Sequence, residues 1–205
     1  MGDFYELFFD DAIITAKELN ITLTKRGKIG GIGIPMCGIP FHAADNYLPR
    51  LIKKGLSVAI CEQIETPDEM KAKGLRGPLK RKVVRVITPG TIIEDHLLEA
   101  KSFNFLGCIM IEGLKFSISW VDVSTGVFFT NQFNAVSKND LSYKLNNLLT
   151  KKNFSELLIS EKNELTIFFT EQKPIIKKLR EELFSYETNI ENLSNYYSTK
   201  KQIFL

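Results

Sequence analysis

The chain begins with the stretch MGDFYELF (residues 1–8), in which Phe4, Tyr5 and Glu6 follow one another. In an extended segment, residues i and i+2 project from the same face, so Phe4 and Glu6 would reach the same place and Tyr5 would pack on the opposite side. A flat ring can wedge between stacked bases, and an acid beside it can hydrogen-bond a base edge. Taken alone, Phe4 would more often be a core residue and Glu6 a surface or capping carboxylate.

Composition places the chain among ordinary globular proteins. It has 205 residues, 44% hydrophobic and 25% charged, enough for one large or two small domains with a core. No apolar run reaches membrane-spanning length, and the N-terminus lacks the layout of a signal peptide. The cysteines, Cys37, Cys61 and Cys108, are widely spaced without a CxxC pair, and there are only two histidines. We therefore expect no metal site, no membrane association and a reducing, cytoplasmic setting.

The first part of the chain predicts two helices around a glycine-rich segment. Acids at Asp10-Asp11 before apolar residues at helical spacing predict a helix from about 8 to 19. Residues 25–38 are rich in glycine and predict a loop with a tight turn. Helical spacing that ends at Gly55 predicts a second helix over 43–54.

Two strands follow these helices. Apolar and β-branched runs predict strands over 57–64 and 82–88, separated by a polar, flexible stretch over 65–77. Together with the preceding helices they predict an α/β domain with a mixed sheet.

Basic residues are concentrated in the same region. No acid occurs between Met70 and Ile93, whereas this stretch contains seven cations: Lys71, Lys73, Arg76, Lys80, Arg81, Lys82 and Arg85. Such a run is usually a solvated face; the alternative is a phosphate-binding edge.

The pattern changes after a boundary near 93–104. Three strands are predicted, the first two joined at Glu112-Gly113, and then a helix, a strand and a helix. Their predicted bounds are 105–111, 115–123, 127–133, 139–149, 156–160 and 173–184. This order is typical of a ribonuclease-H-like α/β domain.

Several stretches resemble the MutS family of DNA mismatch-repair proteins, densely to about Thr91 and loosely beyond it. They are MGDFYELFFDD (1–11), LTKRG (23–27), IPMCGIPFH (34–42), VAICEQI (58–64) and RKVVRVITPGT (81–91). The resemblance implies a mismatch-recognition domain over 1–92, a linker over 93–103 and a connector domain over 104–205. Compared with the family, the chain lacks a leading helix and a GxxxxGK[ST] phosphate loop, so we expect it to be a fragment.

The resemblance also implies roles for individual residues. Phe4 would stack on a mispaired base from the minor groove, and Glu6 would hydrogen-bond that base. A protonated Glu6 could donate to the base, whereas an ionised Glu6 beside matched DNA would penalise binding. Further implied DNA-binding residues are Lys25, Arg26, Met36, Phe41, His42 and Arg81.

The expected function is binding of duplex DNA with mismatches or small loops, without catalysis or a cofactor in this chain. The family implies a longer homodimeric parent that uses ATP and Mg²⁺, and a MutL-type partner that contacts the connector. The alternative is a ribonuclease-H-like nuclease or resolvase, which would need several clustered acids to hold metal ions. Asp122, Glu156 and Glu161 are the acids nearest to such an arrangement. A generic RNA-binding module is a third possibility, but the paired aromatics of a stacking platform are missing.

Overall fold

The computed structural model describes residues 3–74, 77–94, 97–98, 102–152, 154–163 and 174–198. The chain divides into two compact units, Met1–Pro89 and Gly90–Leu205. The α/β class is confirmed, since both units combine helices with strands. A linker over 93–103 stays a prediction.

A three-stranded antiparallel sheet organises the first unit. Its strands are β1 (Phe4–Phe8), β2 (Thr24–Ile29) and β3 (Ile32–Pro40), with β3 in the middle. The predicted loop over 25–38 is wrong, because this segment is a β-hairpin. Its glycine pair, Gly30-Gly31, forms only the turn, with φ angles of 57° and 83° that favour glycine.

Helix α1 (Phe9–Leu19) covers one face of this sheet and confirms the first predicted helix. Ala12 and Ala16 of α1 pack with buried Cys37 of β3 and with Leu7 of β1. A second cluster joins Leu19, Ile39 and Leu51, which are all buried. The side chains of β1 and β3 that point towards α1 therefore form the core of this unit.

The rest of the first unit contains a 3-10 turn (Phe41–Ala43), α2 (Ala44–Lys53), β4 (Val58–Gln63), α3 (Pro67–Ala72) and β5 (Arg81–Ile87). The predicted second helix and both predicted strands are confirmed. Strands β4 and β5 pair antiparallel as a separate ribbon, so the described strands of this unit form two antiparallel sheets rather than one mixed sheet. Helix α3 replaces the flexible stretch, and the capping box between Thr66 and Glu69 starts it.

The second unit is a five-stranded sheet with the order β10-β9-β6-β7-β8. Its elements are β6 (Phe105–Glu112), β7 (Lys115–Asp122), β8 (Val127–Asn134), α4 (Lys138–Lys151), β9 (Phe154–Ser160), β10 (Ile175–Leu179), a 3-10 turn (Glu181–Phe184) and α5 (Tyr186–Tyr196). Strand β9 runs parallel to β6 and β10, whereas β7 is antiparallel to β6 and β8. This is the order of a ribonuclease-H-like sheet.

The predicted helix over 173–184 is wrong. Lys173 lies outside the described residues, and the rest forms β10 and the 3-10 turn. Along β10, half-buried Ile175 and Lys177 alternate with exposed Ile176, as a strand requires. Pairing with β9 gives this segment backbone hydrogen bonds that its own sequence does not specify. None of the described helices is long and apolar enough to cross a bilayer.

Candidate nucleic-acid interface

One face of the three-stranded sheet is open. In the register of β1 with β3, Phe4 lies opposite Pro40 and Glu6 lies opposite Gly38. Because side chains alternate along a strand, Phe4 and Glu6 share the face that points away from α1. The Phe4 side chain is 54% exposed, so it is not a core residue. The prediction that Phe4 and Glu6 project together is confirmed, whereas their contact with DNA stays a prediction.

This open face forms a shallow cleft of about 560 Å³. It is lined by β1, β3, the start of β2 and the turn after α1, through Phe4, Glu6, Asn20, Ile21, Thr22, Thr24, Met36, Gly38 and Pro40. Gly38 forms part of the floor beside the aromatic ring: a Cβ atom at this position would lie 3.3 Å from Phe4 Cδ1. The missing side chain at position 38 therefore leaves the space in which the ring lies.

Glu6 does not face the cleft as an isolated charge. A guanidinium N–H of Arg26 donates to Glu6 Oε1, and the two side chains are 47% and 18% exposed, respectively. Arg26 reaches this position because β2 carries a bulge between Lys25 and Lys28, where Gly27 has a φ of 72°. The sequence does not predict this ion pair, since its partners are 20 residues apart and the glycine-rich pattern predicts a loop where the bulge lies.

Tyr5 lies on the opposite face, as predicted. Its hydroxyl donates to Glu62 Oε1 in β4, which connects the sheet to the ribbon. This hydrogen bond and the burial of the phenol raise the pKa of Tyr5 to about 12. The Phe41 ring lies 5.5 Å from the Tyr5 ring, so Phe41 belongs to this side and not to the cleft.

The structure brings together only some of the residues that the sequence analysis singled out. Met36 lines the cleft with Phe4 and Glu6, and Arg26 joins them through its ion pair. Lys25 pairs with Pro35, so it lies on the face opposite Met36. The remaining three are exposed elsewhere in the first unit: Phe41, His42 and Arg81. Sequence analysis did not single out Gly38, although it lies within IPMCGIPFH (34–42), or the turn residues Asn20 and Thr22, which carry no motif.

Part of the basic stretch is already neutralised within the protein. Lys73 Nζ lies 3.0 Å from Glu65 Oε1, and Lys71 Nζ lies 3.9 Å from Asp68 Oδ1. Arg76 lies outside the described residues. Among the described cations around β5, Lys80, Arg81 and Lys82 are exposed and are candidates for phosphate contacts, whereas Arg85 is half-buried.

Asp122, the last residue of β7, is buried and its carboxylate is engaged in hydrogen bonds within the fold. Asp122 is 2% exposed, and its Oδ1 accepts from the Ser124 hydroxyl at 2.6 Å and from the Ser124 and Thr125 N–H groups. Its Oδ2 accepts from Asn104 N–H at 3.0 Å. Burial would raise the pKa of Asp122, but these hydrogen bonds to Ser124, Asn104 and Thr125 outweigh it and lower the pKa.

Glu156 and Glu161 do not join Asp122 in a metal cluster. Buried Glu156 accepts from Lys177 Nζ and from Gly90 N–H, each at 3.0 Å. Glu161 is exposed at the end of β9. In the described part of the chain, no three His, Cys, Asp or Glu side chains are placed to hold a metal ion. The nuclease alternative therefore has no site among these residues.

Comparison with known proteins identifies both units. The family model for MutS domain I matches residues 1–96, and that for MutS domain II matches residues 104–203. A DNA mismatch repair protein MutS from Ehrlichia chaffeensis is 42% identical over 205 residues, which is 100% of this chain and 24% of the relative. A protein of the same name from Wolbachia pipientis wMel is 44% identical over 205 residues, 98% of this chain and 23% of its own length. The Ruegeria pomeroyi protein of this name is 54% identical over 128 residues, 62% of this chain and 15% of the relative. The chain thus spans about a quarter of the length of the first two relatives.

Proposed function

The chain belongs to the MutS family of DNA mismatch-repair proteins, and from this premise we propose that its first unit recognises mispaired bases through the Phe4–Glu6 face. The observation that carries the proposal is the exposed Phe4 ring beside a carboxylate in one cleft. An exposed ring alone is ordinary at a protein surface, but here the ring and the carboxylate share one cleft, where a base stack would bury the ring. Duplex DNA with mismatches or small loops is the proposed ligand.

Phe4 supplies the wedge in this proposal. An apolar side chain inserted from the minor groove unstacks a base step and kinks the duplex, which costs a few kcal/mol. The cost is lower at a mispair, whose stacking is already weak. This difference makes the protein respond to the weakness of a base pair rather than to sequence.

Glu6 supplies the second part of the discrimination. A carboxylate near DNA is repelled by phosphates, so its presence in this cleft requires a compensating contact. A hydrogen bond between Glu6 and a displaced base provides one at a mispair and is missing at a matched pair. A single side chain then favours binding at a mispair and disfavours binding at a matched pair.

The remaining proposals concern the longer protein. We propose a homodimer in the cytoplasm whose ATP and Mg²⁺ are handled outside this chain, and a MutL-type partner that contacts the second unit. The second unit then acts as a spacer and docking surface without catalysis. Because the other parts of the relatives also hold DNA in this proposal, the isolated chain should bind weakly and with little preference for mispairs.

The wedge can be tested on this chain with a short duplex that contains 2-aminopurine opposite cytosine, a mispair, or opposite thymine, a matched pair. At low salt and saturating protein, insertion of Phe4 should unstack the probe and raise its fluorescence, more strongly in the mispair. Phe4→Ala should abolish the fluorescence change while most of the binding, followed by anisotropy, persists.

Phe9→Ala is the matched control, because Phe9 is 55% exposed and does not line the cleft. It should leave the fluorescence change intact. A wild-type chain that binds no duplex at low salt contradicts the proposed function. A Phe4→Ala variant that still unstacks the probe, or that unfolds as loss of a core residue would, contradicts the wedge.

A further inference from the structure

The Arg26 guanidinium contacts Glu6 of the proposed recognition pair while its side chain remains 47% exposed. We propose that Arg26 is a specificity-determining residue that acts through Glu6, by masking the Glu6 carboxylate from the phosphates of correctly paired DNA. This inference rests on the proposed function of the Phe4–Glu6 face. It assigns Arg26 a role different from that of a plain phosphate contact.

The backbone of β2 is shaped to deliver Arg26 to Glu6. The register pairs Lys25 with Pro35 and Lys28 with Gly33, so Arg26 and Gly27 together lie opposite one residue, Ile34. A bulge of this kind changes the direction of a side chain, and the positive φ of Gly27 is compatible with it. Lys25, one residue earlier, lies on the other face. The bulge therefore selects one of two adjacent cations for the cleft.

The exposure of the two side chains indicates which charge an approaching duplex meets. Glu6 is 18% exposed and Arg26 is 47% exposed, so the guanidinium that contacts the carboxylate is the more open of the two charges. A guanidinium has five N–H donors in a planar fork, and one edge can hold a carboxylate while another faces a phosphate. Approaching phosphates then meet a neutralised pair instead of a negative charge.

The ion pair between Arg26 and Glu6 should affect the affinity for matched and for mispaired DNA unequally. At a mispair, Glu6 gains a base as a hydrogen-bond partner, which offsets part of its repulsion from the phosphates. At a matched pair it gains none, so the repulsion there depends more strongly on the neighbouring Arg26 charge. Loss of Arg26 should therefore weaken binding to matched DNA more than binding to mispaired DNA. Overall affinity falls while selectivity rises, whereas loss of a plain phosphate contact would weaken both complexes equally.

A double-mutant cycle tests this inference. Dissociation constants are measured by anisotropy at low salt for the wild-type chain, Arg26→Gln, Glu6→Gln and the double variant, with duplexes that differ only in a central G·C or G·T pair. Arg26→Gln should weaken G·C binding about tenfold and G·T binding about threefold or less. In the Glu6→Gln background, the same change should cost less than about threefold on either duplex.

Lys25→Gln is the matched control, because it removes the same charge one residue earlier on the opposite face. Its effect should be equal on the two duplexes and additive with Glu6→Gln. Additive effects of Arg26→Gln and Glu6→Gln, or an equal loss on both duplexes, would overturn the inference and leave Arg26 as a phosphate contact. Arg26→Lys keeps the positive charge, so it should still neutralise most of the Glu6 charge and bind matched DNA nearly as well as the wild type. Thermal unfolding of each variant verifies that the fold is intact.

The two proposals fail separately. If the wild-type chain binds duplex and Phe4 unstacks 2-aminopurine but the cycle is additive, only the role of Arg26 is wrong. If the wild-type chain does not bind duplex, both are wrong.

Discussion

The ring of Phe4 lies beside the bare backbone of Gly38, where a Cβ atom would come within 3.3 Å of Phe4 Cδ1. The same glycine lies opposite Glu6 in the pairing of β1 with β3. One position without a side chain thus adjoins both the aromatic ring and the carboxylate that share the cleft. The φ angle of Gly38 is not positive, so the backbone does not require a glycine here. What glycine contributes at this position is the space that a side chain would fill.

Gly38→Ala should therefore displace the Phe4 ring without unfolding the protein. An added methyl group at 3.3 Å forces the ring to move by a few tenths of an ångström. We expect the free energy of unfolding to change by no more than about 1 kcal/mol. The increase in 2-aminopurine fluorescence that the protein causes in the mispaired duplex should become clearly smaller. Gly33→Ala in the same strand is the control, since the three atoms nearest to its Cβ would all belong to the Lys25 side chain and not to Phe4. An unchanged fluorescence response would show that the ring tolerates the methyl group.

The hydrogen bond from Tyr5 to Glu62 should make Tyr5 lose its proton at a higher pH than an ordinary tyrosine. In the unfolded chain this phenol loses its proton near pH 10, whereas in the folded protein its pKa is about 12. The folded state thus holds the proton more tightly, and the stabilisation is complete below pH 10 and is lost as the pH rises towards 12. Phenolate absorbance should show a late component that Tyr5→Phe removes and Glu62→Gln shifts to lower pH. Survival of that component in Tyr5→Phe would assign it to another tyrosine.

Asp122→Asn should destabilise the second unit at neutral pH. The carboxylate accepts hydrogen bonds from three backbone N–H groups and one hydroxyl, and their partial loss should cost about 2–3 kcal/mol. Because the folded-state pKa lies below the ordinary value of 3.8, this stabilisation is present above about pH 4 and is lost at lower pH. Urea unfolding should show that the difference between wild type and variant narrows in acid. Asp68→Asn, at an exposed side chain, should have no measurable effect; an equally harmless Asp122→Asn would refute the structural role.

Arg81→Ala should flatten the salt dependence of DNA binding. A side chain that contacts a phosphate releases counterions, so its loss should reduce the slope of log K against log salt by about 0.9. Lys73→Ala is the control, because Lys73 is already paired with Glu65 at 3.0 Å. An unchanged slope for Arg81→Ala would remove this residue from the interface.

The sequence predicted the elements whose pattern is local. Helix α1 has Asp10 and Asp11 in its first turn and Asn20 as a C-cap in the left-handed region, so the signals for both ends are local in the sequence. The hairpin β6–β7 turns at Gly113, as the alternation on either side indicated. The shared face of Phe4 and Glu6 followed from strand periodicity alone.

The elements that were missed depend on distant pairing. Strand β3 contains Pro35, and a proline normally argues against a central strand. Here β1 pairs only with Met36–Pro40, so at Pro35 the strand has a single neighbour, β2. Strand β10 forms because β9 offers a parallel edge. The contact of Arg26 with Glu6 could not be predicted either, since it depends on a bulge inside a hairpin that was itself missed. Helix α3 is different, because Thr66-Pro67 with Glu69 is a recognisable start signal.

The alternation of β1 limits how this segment can evolve. Phe4 and Glu6 serve the cleft, whereas Tyr5 and Leu7 serve the packed side. Deletion of one residue inside the strand would exchange the two sets, sending Phe4 towards Glu62 and leaving the cleft without its ring. A substitution in β1 changes one side chain, on either the cleft face or the packed face. A change in the length of β1 moves the side chains of both faces at once, so recognition and packing are lost together. We therefore expect the number of residues between the start of β1 and α1 to vary less among relatives than the residues themselves.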